Sequence, residues 1–309
     1  MPYGIDGNPG SRDDTFGNGS ALDVELYSVW EIPGVNDTPL ALHCWIPPER
    51  PSIAGVLYYV HGIQSHAGWL FETGPALARG GVVTYALDRR GSGCSGGLRG
   101  DLPSARIVTE DYLRGLRAVR HDWPGLPVTV LGQSFGASIV AALAASGSLS
   151  VDQLVYCTPA LGQQRARHGT KGMAKILELT GLERSPIALE DADYTNQDRY
   201  LEFMANDHLM LRQLTDRSRA TMVELEQTYL EREAISAVPV HFVRVERDPI
   251  IALDEAERVL RQLHGKVSVV TFPIKQHYVE FSSVRRDYWD WLTQVVVSPP
   301  AREQRGWHQ

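Results

Sequence analysis

Ser134 stands in the pattern Gly132-Gln133-Ser134-Phe135-Gly136, where the apolar stretch Pro127-Val128-Thr129-Val130-Leu131 gives way to a run of small residues from Ala137 to Ala145. A strand that turns straight into a helix at a serine holds the hydroxyl on a sharp, strained corner. Glycines two positions before and after leave room for that turn and for the crossing helix. The chemistry open to such a serine is nucleophilic. Its side chain is exposed and rigid, and the N–H groups and partial positive charge of the helix start suit a developing oxyanion. The five-residue pattern also occurs by chance. A strand before it and a helix after it supply the context that gives it meaning.

A serine nucleophile needs a base, an acid that orients the base, and donors for the oxyanion. Residues 267–272 read as the last strand, and Lys275-Gln276-His277-Tyr278 follows it before a final helix. Of the ten histidines only His277 holds that position, and imidazole titrates near neutrality, as a general base should. Upstream, residues 238–245 read as another strand running into Glu246-Arg247-Asp248-Pro249, with a helix over 253–263 beyond. Asp248 is the acid, because Glu246 closes the strand while Asp248 lies in the turn with its side chain free to aim. The alternative for Asp248 is a turn or helix cap, a role that Asp254, in the first turn of the next helix, fits better.

The order Ser134, Asp248, His277 belongs to one of the three common serine-hydrolase scaffolds. In that layout a loop after an early strand gives the second oxyanion N–H. Residues 55–60 form an apolar strand leading into His61-Gly62-Ile63-Gln64-Ser65-His66, so the two donors are the N–H groups of Ile63 and Phe135. His61 and His66 read as loop anchors. No third His, Cys or carboxylate lies nearby at metal-ligand spacing, and neither a metal nor an organic cofactor is expected.

The elements that must position these residues follow from apolar runs alternating with helical stretches. Strands near 23–30, 40–46, 55–60, 82–88, 127–132, 153–158, 238–245 and 267–272 build a doubly wound, mostly parallel sheet flanked by helices. Residues 159–237 carry no convincing strand. Met173, Ile176 and Leu177, and then Leu209, Leu211, Leu214, Met222, Leu225 and Tyr229, have helical spacing, and Thr195 with Asp198 reads as a helix start. That stretch is expected to be a helical lid between the sixth and seventh strands, over the carboxyl edge of the sheet where open α/β folds bind ligands. The organisation is thus a flexible segment over 1–20, a core over 21–158 and 238–309, and a lid over 159–237. The last helix, with Tyr288, Trp289, Trp291 and Leu292, reads as core packing.

Composition bounds the rest. The 309 residues carry 30 basic and 37 acidic side chains, a net charge of −7, which argues against a nucleic-acid surface. No apolar run approaches the length of a membrane span. Residues 1–20 have neither a basic n-region nor an apolar h-region, and three cysteines fit a reducing compartment, so a cytoplasmic location is expected. Oligomeric state is not encoded in any recognisable pattern.

With those residues in place, the chain resembles α/β-hydrolases of the monoacylglycerol lipase and lysophospholipase group over about residues 23–297. Beyond the elbow, Leu87-Asp88-Arg89-Arg90-Gly91-Ser92-Gly93-Cys94-Ser95-Gly96-Gly97-Leu98-Arg99-Gly100 is similar to that group's Asp-x-Arg-Gly-x-Gly-x-Ser-x-Gly-x-Arg-Gly signature. The resemblance implies an eight-stranded α/β-hydrolase fold and a serine carboxylic-ester hydrolase that works through an acyl-enzyme. Its substrate would be a small acyl ester or lipid-like molecule such as a monoacylglycerol or lysophospholipid. Ile63 and Phe135 are bulkier than the group's usual residues, which implies a narrower acyl pocket. The same groups would also serve a thioesterase or acyltransferase in a biosynthetic pathway, or a serine peptidase. A non-catalytic ligand receptor is a further alternative, against which the full set of catalytic positions counts.

Overall fold

The sequence places four strands without polar alternation in the middle of the chain, and fully covered parallel strands have that signature. In the computed structural model, which describes residues 27–49, 52–232 and 238–298, these are the sheet centre. After the antiparallel edge strands β1 (Tyr27–Pro33) and β2 (Pro39–Trp45) come β3 (Gly55–Val60), helix α1 (Thr73–Arg79), β4 (Val82–Leu87), α2 (Ala105–Asp122), β5 (Val128–Gln133), α3 (Phe135–Ala145) and β6 (Gln153–Cys157). Every residue of β3, β4, β5 and β6 is buried. The first strand runs to Pro33, beyond the expected end at 30, and its antiparallel pairing with β2 reaches Pro33 opposite Pro39. An edge position tolerates prolines because the ladder does not need their missing N–H.

The segment after β6 comprises α4 (Gln163–Leu177), β7 (Arg184–Pro186), α5 (Asp191–Tyr194), α6 (Asp198–Asn206), β8 (Gln213–Thr215) and α7 (Asp216–Leu230). The chain then returns to the sheet through β9 (Val240–Val245), α8 (Leu253–His264), β10 (Ser268–Phe272) and α9 (Arg285–Val297). The eight-stranded order is β1-β2-β4-β3-β5-β6-β9-β10, parallel from β4 to β10. Helices α1 and α9 pack together against β3 and β4, while α2 and α3 pack together with α7. This is the α/β-hydrolase fold.

Three expectations about the segment between β6 and β9 need correction. It contains two strands, β7 and β8, paired antiparallel. At three residues each they are too short to display a period of two. Leu209, Leu211 and Leu214 are not helical: Leu214 lies in β8, and the Leu211 backbone pairs with Gln64, its N–H donating to the Gln64 carbonyl at 2.9 Å and its carbonyl accepting from Gln64 Nε2 at 3.0 Å. Helix α6 begins at Asp198 with Gln197 as its cap, two residues later than the pattern suggested. Thr195 instead accepts the Gln197 N–H on Oγ1 and donates its hydroxyl to the Phe281 carbonyl. The expected flexible segment over 1–20 and the stretch 233–237 lie outside the described residues.

At the end of β4, the fully buried Asp88 ties three pieces of chain together. Its carboxylate accepts the Ala67 N–H at 2.7 Å, the Cys94 N–H at 2.7 Å and His43 Nε2 at 3.0 Å. Burial pushes this carboxyl up, but the hydrogen bond from His43 and the attraction to it outweigh burial and hold Asp88 well below the usual carboxylate range. A depressed native pKa stabilises the fold above the unfolded value of about 4 and loses that contribution as pH falls through the native value. Asp88→Asn should therefore cost about 2–4 kcal/mol at pH 7, because it leaves buried donors poorly paired. In denaturant titrations the gap between wild type and variant should close as the pH drops below about 4. A gap that does not depend on pH would show that the charge is not what holds these loops.

Candidate active site

The corner between β5 and α3 puts Ser134 at φ 52° and ψ −120°, a conformation side-chain-bearing residues avoid at a cost of order 1–3 kcal/mol. Three backbone bonds enforce it: Ser134 N–H donates to the Cys157 carbonyl, and the Ser134 carbonyl accepts from Ala137 and Ala160, each at 3.0 Å. The flanking glycines are a matter of space. A Cβ on Gly136 would stand 2.0 Å from the Val60 carbonyl oxygen, and one on Gly132 2.6 Å from Ala137 Cα. Helix α3 therefore crosses the end of β3 almost in contact with its backbone. Against the expectation of an exposed hydroxyl, Ser134 is buried, with only 7% of its surface exposed.

His277 lies in the loop after β10 with its side chain fully buried, and its Nδ1 is 2.7 Å from Asp248 Oδ2. The second oxygen, Asp248 Oδ1, accepts the N–H groups of Ile250 at 2.8 Å and Ile251 at 2.9 Å. Burial pushes the Asp248 carboxyl up, yet the attraction and hydrogen bond of His277 and these two N–H groups bring it below the usual carboxylate range. An ionised Asp248 fixes the proton on Nδ1 and leaves Nε2 as the basic nitrogen. Gln133 Nε2 is 3.5 Å from that Nε2, at the limit of a hydrogen bond, and Ser134 Oγ makes no hydrogen bond among the described residues. Glu246 and Asp254 point elsewhere. Glu246 is exposed with Lys275 4.0 Å away, and Asp254 faces Arg244 at 3.2 Å.

The loop after β3 meets the elbow from the other side: a Cβ on Gly62 would be 3.4 Å from Ser134 Cβ. His61 Nε2 accepts the Arg89 N–H at 3.0 Å, so the ring proton sits on Nδ1, which donates to the Gly62 carbonyl at 2.9 Å. Burial, with Arg89 beside it, lowers the His61 pKa well below its ordinary value and keeps the ring neutral. Because the peptide is trans, a Gly62 carbonyl turned inward aims the Ile63 N–H the opposite way. Neither that N–H nor the Phe135 N–H at the start of α3 has a partner among the described residues.

Several contacts around the site had no local signal in the sequence. The His277 N–H donates to the Asp193 carbonyl at 2.9 Å, the Tyr278 N–H to the Tyr194 carbonyl at 3.1 Å, and Thr158 Oγ1 to the His277 carbonyl at 3.2 Å. The Tyr194 ring stands edge-on to the His277 ring at 5.8 Å, and its hydroxyl donates to Gln64 Oε1 at 2.7 Å. His66 Nε2 and Trp69 Nε1 both donate to Asp207 Oδ2. His61 and His66 are thus both engaged within the protein. Elsewhere, ligand atoms of His43, Asp88 and Cys94 lie within 4.8 Å of one another, but the Asp88 oxygens already take the three donors described above.

The family model Hydrolase_4, described as serine aminopeptidase, S33, matches residues 51–281, which span the elbow and both partner loops. The chain belongs to this family. The proteins it is similar to include monoacylglycerol lipases. It is 26% identical over 271 residues to the monoacylglycerol lipase of Mycolicibacterium smegmatis, covering 86% of this chain and 95% of that one. Its fold is similar to that of a soluble variant of Saccharomyces cerevisiae monoglyceride lipase in complex with a substrate analog, with a TM-score of 0.74 at 14% identity over 87% of this chain and 94% of that one. The Paleococcus ferrophilus monoacylglycerol lipase gives a TM-score of 0.69 at 19% identity over 84% and 98%.

The crossing of α3 over β3 yields a contrast between two glycine substitutions. Gly136→Ala should cost at least about 3 kcal/mol, because backbone cannot move aside for the new methyl group. Gly125→Ala, at φ 89° with nothing within 4 Å, should cost only about 1 kcal/mol of backbone strain. Equal stabilities of the two variants in guanidinium denaturation would mean that the elbow is not tight.

Proposed function

We propose that this protein is a serine carboxylic-ester hydrolase that acts through an acyl-enzyme on a small acyl ester or lipid-like substrate of the monoacylglycerol type. The observation that carries this reading is the Asp248–His277 pair at 2.7 Å on the same sheet edge as a serine held at φ 52°. Ser134 Oγ attacks the ester carbonyl as His277 Nε2 takes its proton, and Asp248 steadies the imidazolium. The N–H groups of Ile63 and Phe135 receive the oxyanion. His277 then returns the proton to the leaving alcohol, and water repeats the sequence on the acyl-enzyme. Serine–histidine contacts of this kind commonly close only when substrate binds, so the Ser134 Oγ is expected to meet His277 Nε2 in the substrate complex.

The segment from 159 to 237 serves, in this reading, as the cap over the site. Its α5 carbonyls hold the His277 loop and its Leu211 backbone holds the Ile63 loop, so it also fixes the catalytic geometry. The described part of the chain holds no helix long and apolar enough to cross a membrane. The peptidase reading draws on the description of the matched family, and an amide would use the same residues.

Ser134→Ala should lower kcat by about 10⁴- to 10⁶-fold with the fold intact, and a fluorophosphonate probe should label wild type alone. Asp248→Asn should cost roughly 10⁴ in kcat, while Glu246→Gln and Asp254→Asn stay near wild type. Ester hydrolysis at the wild-type rate in Ser134→Ala would end the assignment.

Substrate class is read from a chain-length series. Each methylene buried under the cap adds about 0.8 kcal/mol, roughly fourfold in kcat/KM, until the pocket is filled. A rise over several carbons followed by a plateau is expected for p-nitrophenyl esters and monoacylglycerols. A flat series together with rapid turnover of an aminoacyl anilide would favour the peptidase, and preference for an acyl-thioester the thioesterase.

A further inference from the structure

The Asp-x-Arg-Gly signature aligns its arginine with Arg90, which pairs with Asp111 at 2.8 Å. Arg89 fills the variable position, and nothing in the reaction as described uses it. It is nonetheless 1% exposed, a buried cation with no carboxylate in salt-bridge contact among the described residues, so that Tyr112 and the more distant charge of Asp88 are the titratable groups that offset its burial electrostatically. Burying a charge is expensive unless it is paired, and a neutral donor could tether a loop at lower cost.

Its contacts say what the charge faces. Arg89 Nη1 donates to the Gly62 carbonyl and Nη2 to the Ile63 carbonyl, both at 2.9 Å. The guanidinium centre lies 5.3 Å from the centroid of the Phe135 ring. Through its own N–H, Arg89 also sets the His61 tautomer whose Nδ1–H donates to the same Gly62 oxygen. The 3.4 Å approach of Arg89 Nη1 to His61 Nδ1 is then a meeting of two donors, which only the shared carbonyl between them makes tolerable.

We propose that Arg89 is a positioning residue that polarises the oxyanion site from beneath, through the Gly62–Ile63 peptide and from its place against Phe135. This rests on the reading of Ile63 and Phe135 as oxyanion donors. A cation on one end of a peptide unit withdraws electron density from the other end and strengthens its N–H as a donor. The benefit is small against a neutral carbonyl and large against an alkoxide, so it falls on the transition state and leaves substrate binding alone.

The test separates ground state from oxyanion. An alkyl trifluoromethyl ketone binds when the Ser134 oxygen adds to its carbonyl carbon, the carbonyl π pair moves onto oxygen and the serine proton passes to His277. Its Ki is measured for wild type and Arg89→Met beside kcat and KM for p-nitrophenyl butyrate. The Kd for that ester is taken in Ser134→Ala and in Ser134→Ala/Arg89→Met. Arg89→Met should lower kcat about 10- to 100-fold, with KM changed by less than about threefold, Ki weakened by the same factor as kcat, and Kd unchanged; removal of a whole oxyanion donor, about 10²- to 10³-fold, is the upper bound.

Arg89→Lys keeps the charge but gives up the fork over two carbonyls, and should lose about three- to tenfold in the same selective way. It also carries the test if Arg89→Met fails to fold. Equal weakening of Kd and Ki in either variant would overturn the proposal and leave Arg89 as a loop strut. Full activity in Ser134→Ala is a separate result, which would remove the underlying function and not this residue's part alone.

Discussion

The close passage of α3 over the carboxyl end of β3 is the constraint on which the rest of the site depends. With Gly136 against the Val60 carbonyl, the backbone has one way to leave β5, and that way strains Ser134. The same crossing brings the loop after β3 beside the serine, so that one packing contact sets both Ser134 and the Gly62–Ile63 peptide next to it. Fully buried strands on either side leave no slack for this corner to relax.

What the sequence made legible was whatever is encoded within a few residues. The elbow, the Asp248 turn and the His277 loop each announce themselves as a strand end followed by a turn or helix, and the sheet announces itself through unbroken apolar runs. The three expected residues lie at the same edge of the sheet, with Asp248 and His277 in contact. Less legible were contacts between residues far apart in the chain, such as the Asp193 carbonyl on the His277 N–H or the Leu211 backbone on Gln64. Backbone partners leave no mark in side-chain identity. Arg89 was visible as a letter in a glycine-rich signature, yet its burial and its two carbonyl partners belong to the tertiary structure. Strands β7 and β8 were missed because three residues cannot carry a period.

Electrostatics around the site are arranged in two tiers. Asp248 and Asp88 stay ionised despite burial chiefly through the histidine each one contacts, His277 and His43, and both serve to fix other groups in place. Arg89 is handled differently, with carbonyl oxygens in place of a counter-ion. Carbonyl dipoles favour the cation without neutralising it, and the ionised Asp88 next in the chain adds to its stabilisation from a distance.

The way His277 is held bears on how such an enzyme can change over evolution. Its backbone is gripped on the N–H side by Asp193, a residue of the segment between β6 and β9, and on the carbonyl side by Thr158 at the end of β6. Between hydrolases, the region that chooses the substrate is commonly treated as a replaceable module on a fixed catalytic chassis. Here the two are not separable: an exchanged or shortened segment would arrive without the carbonyl that seats the histidine. In this protein, side-chain changes on the existing backbone therefore leave the seats of the His277 and Gln64 loops in place, whereas changes of length at α5 or at the Leu211 turn would remove them.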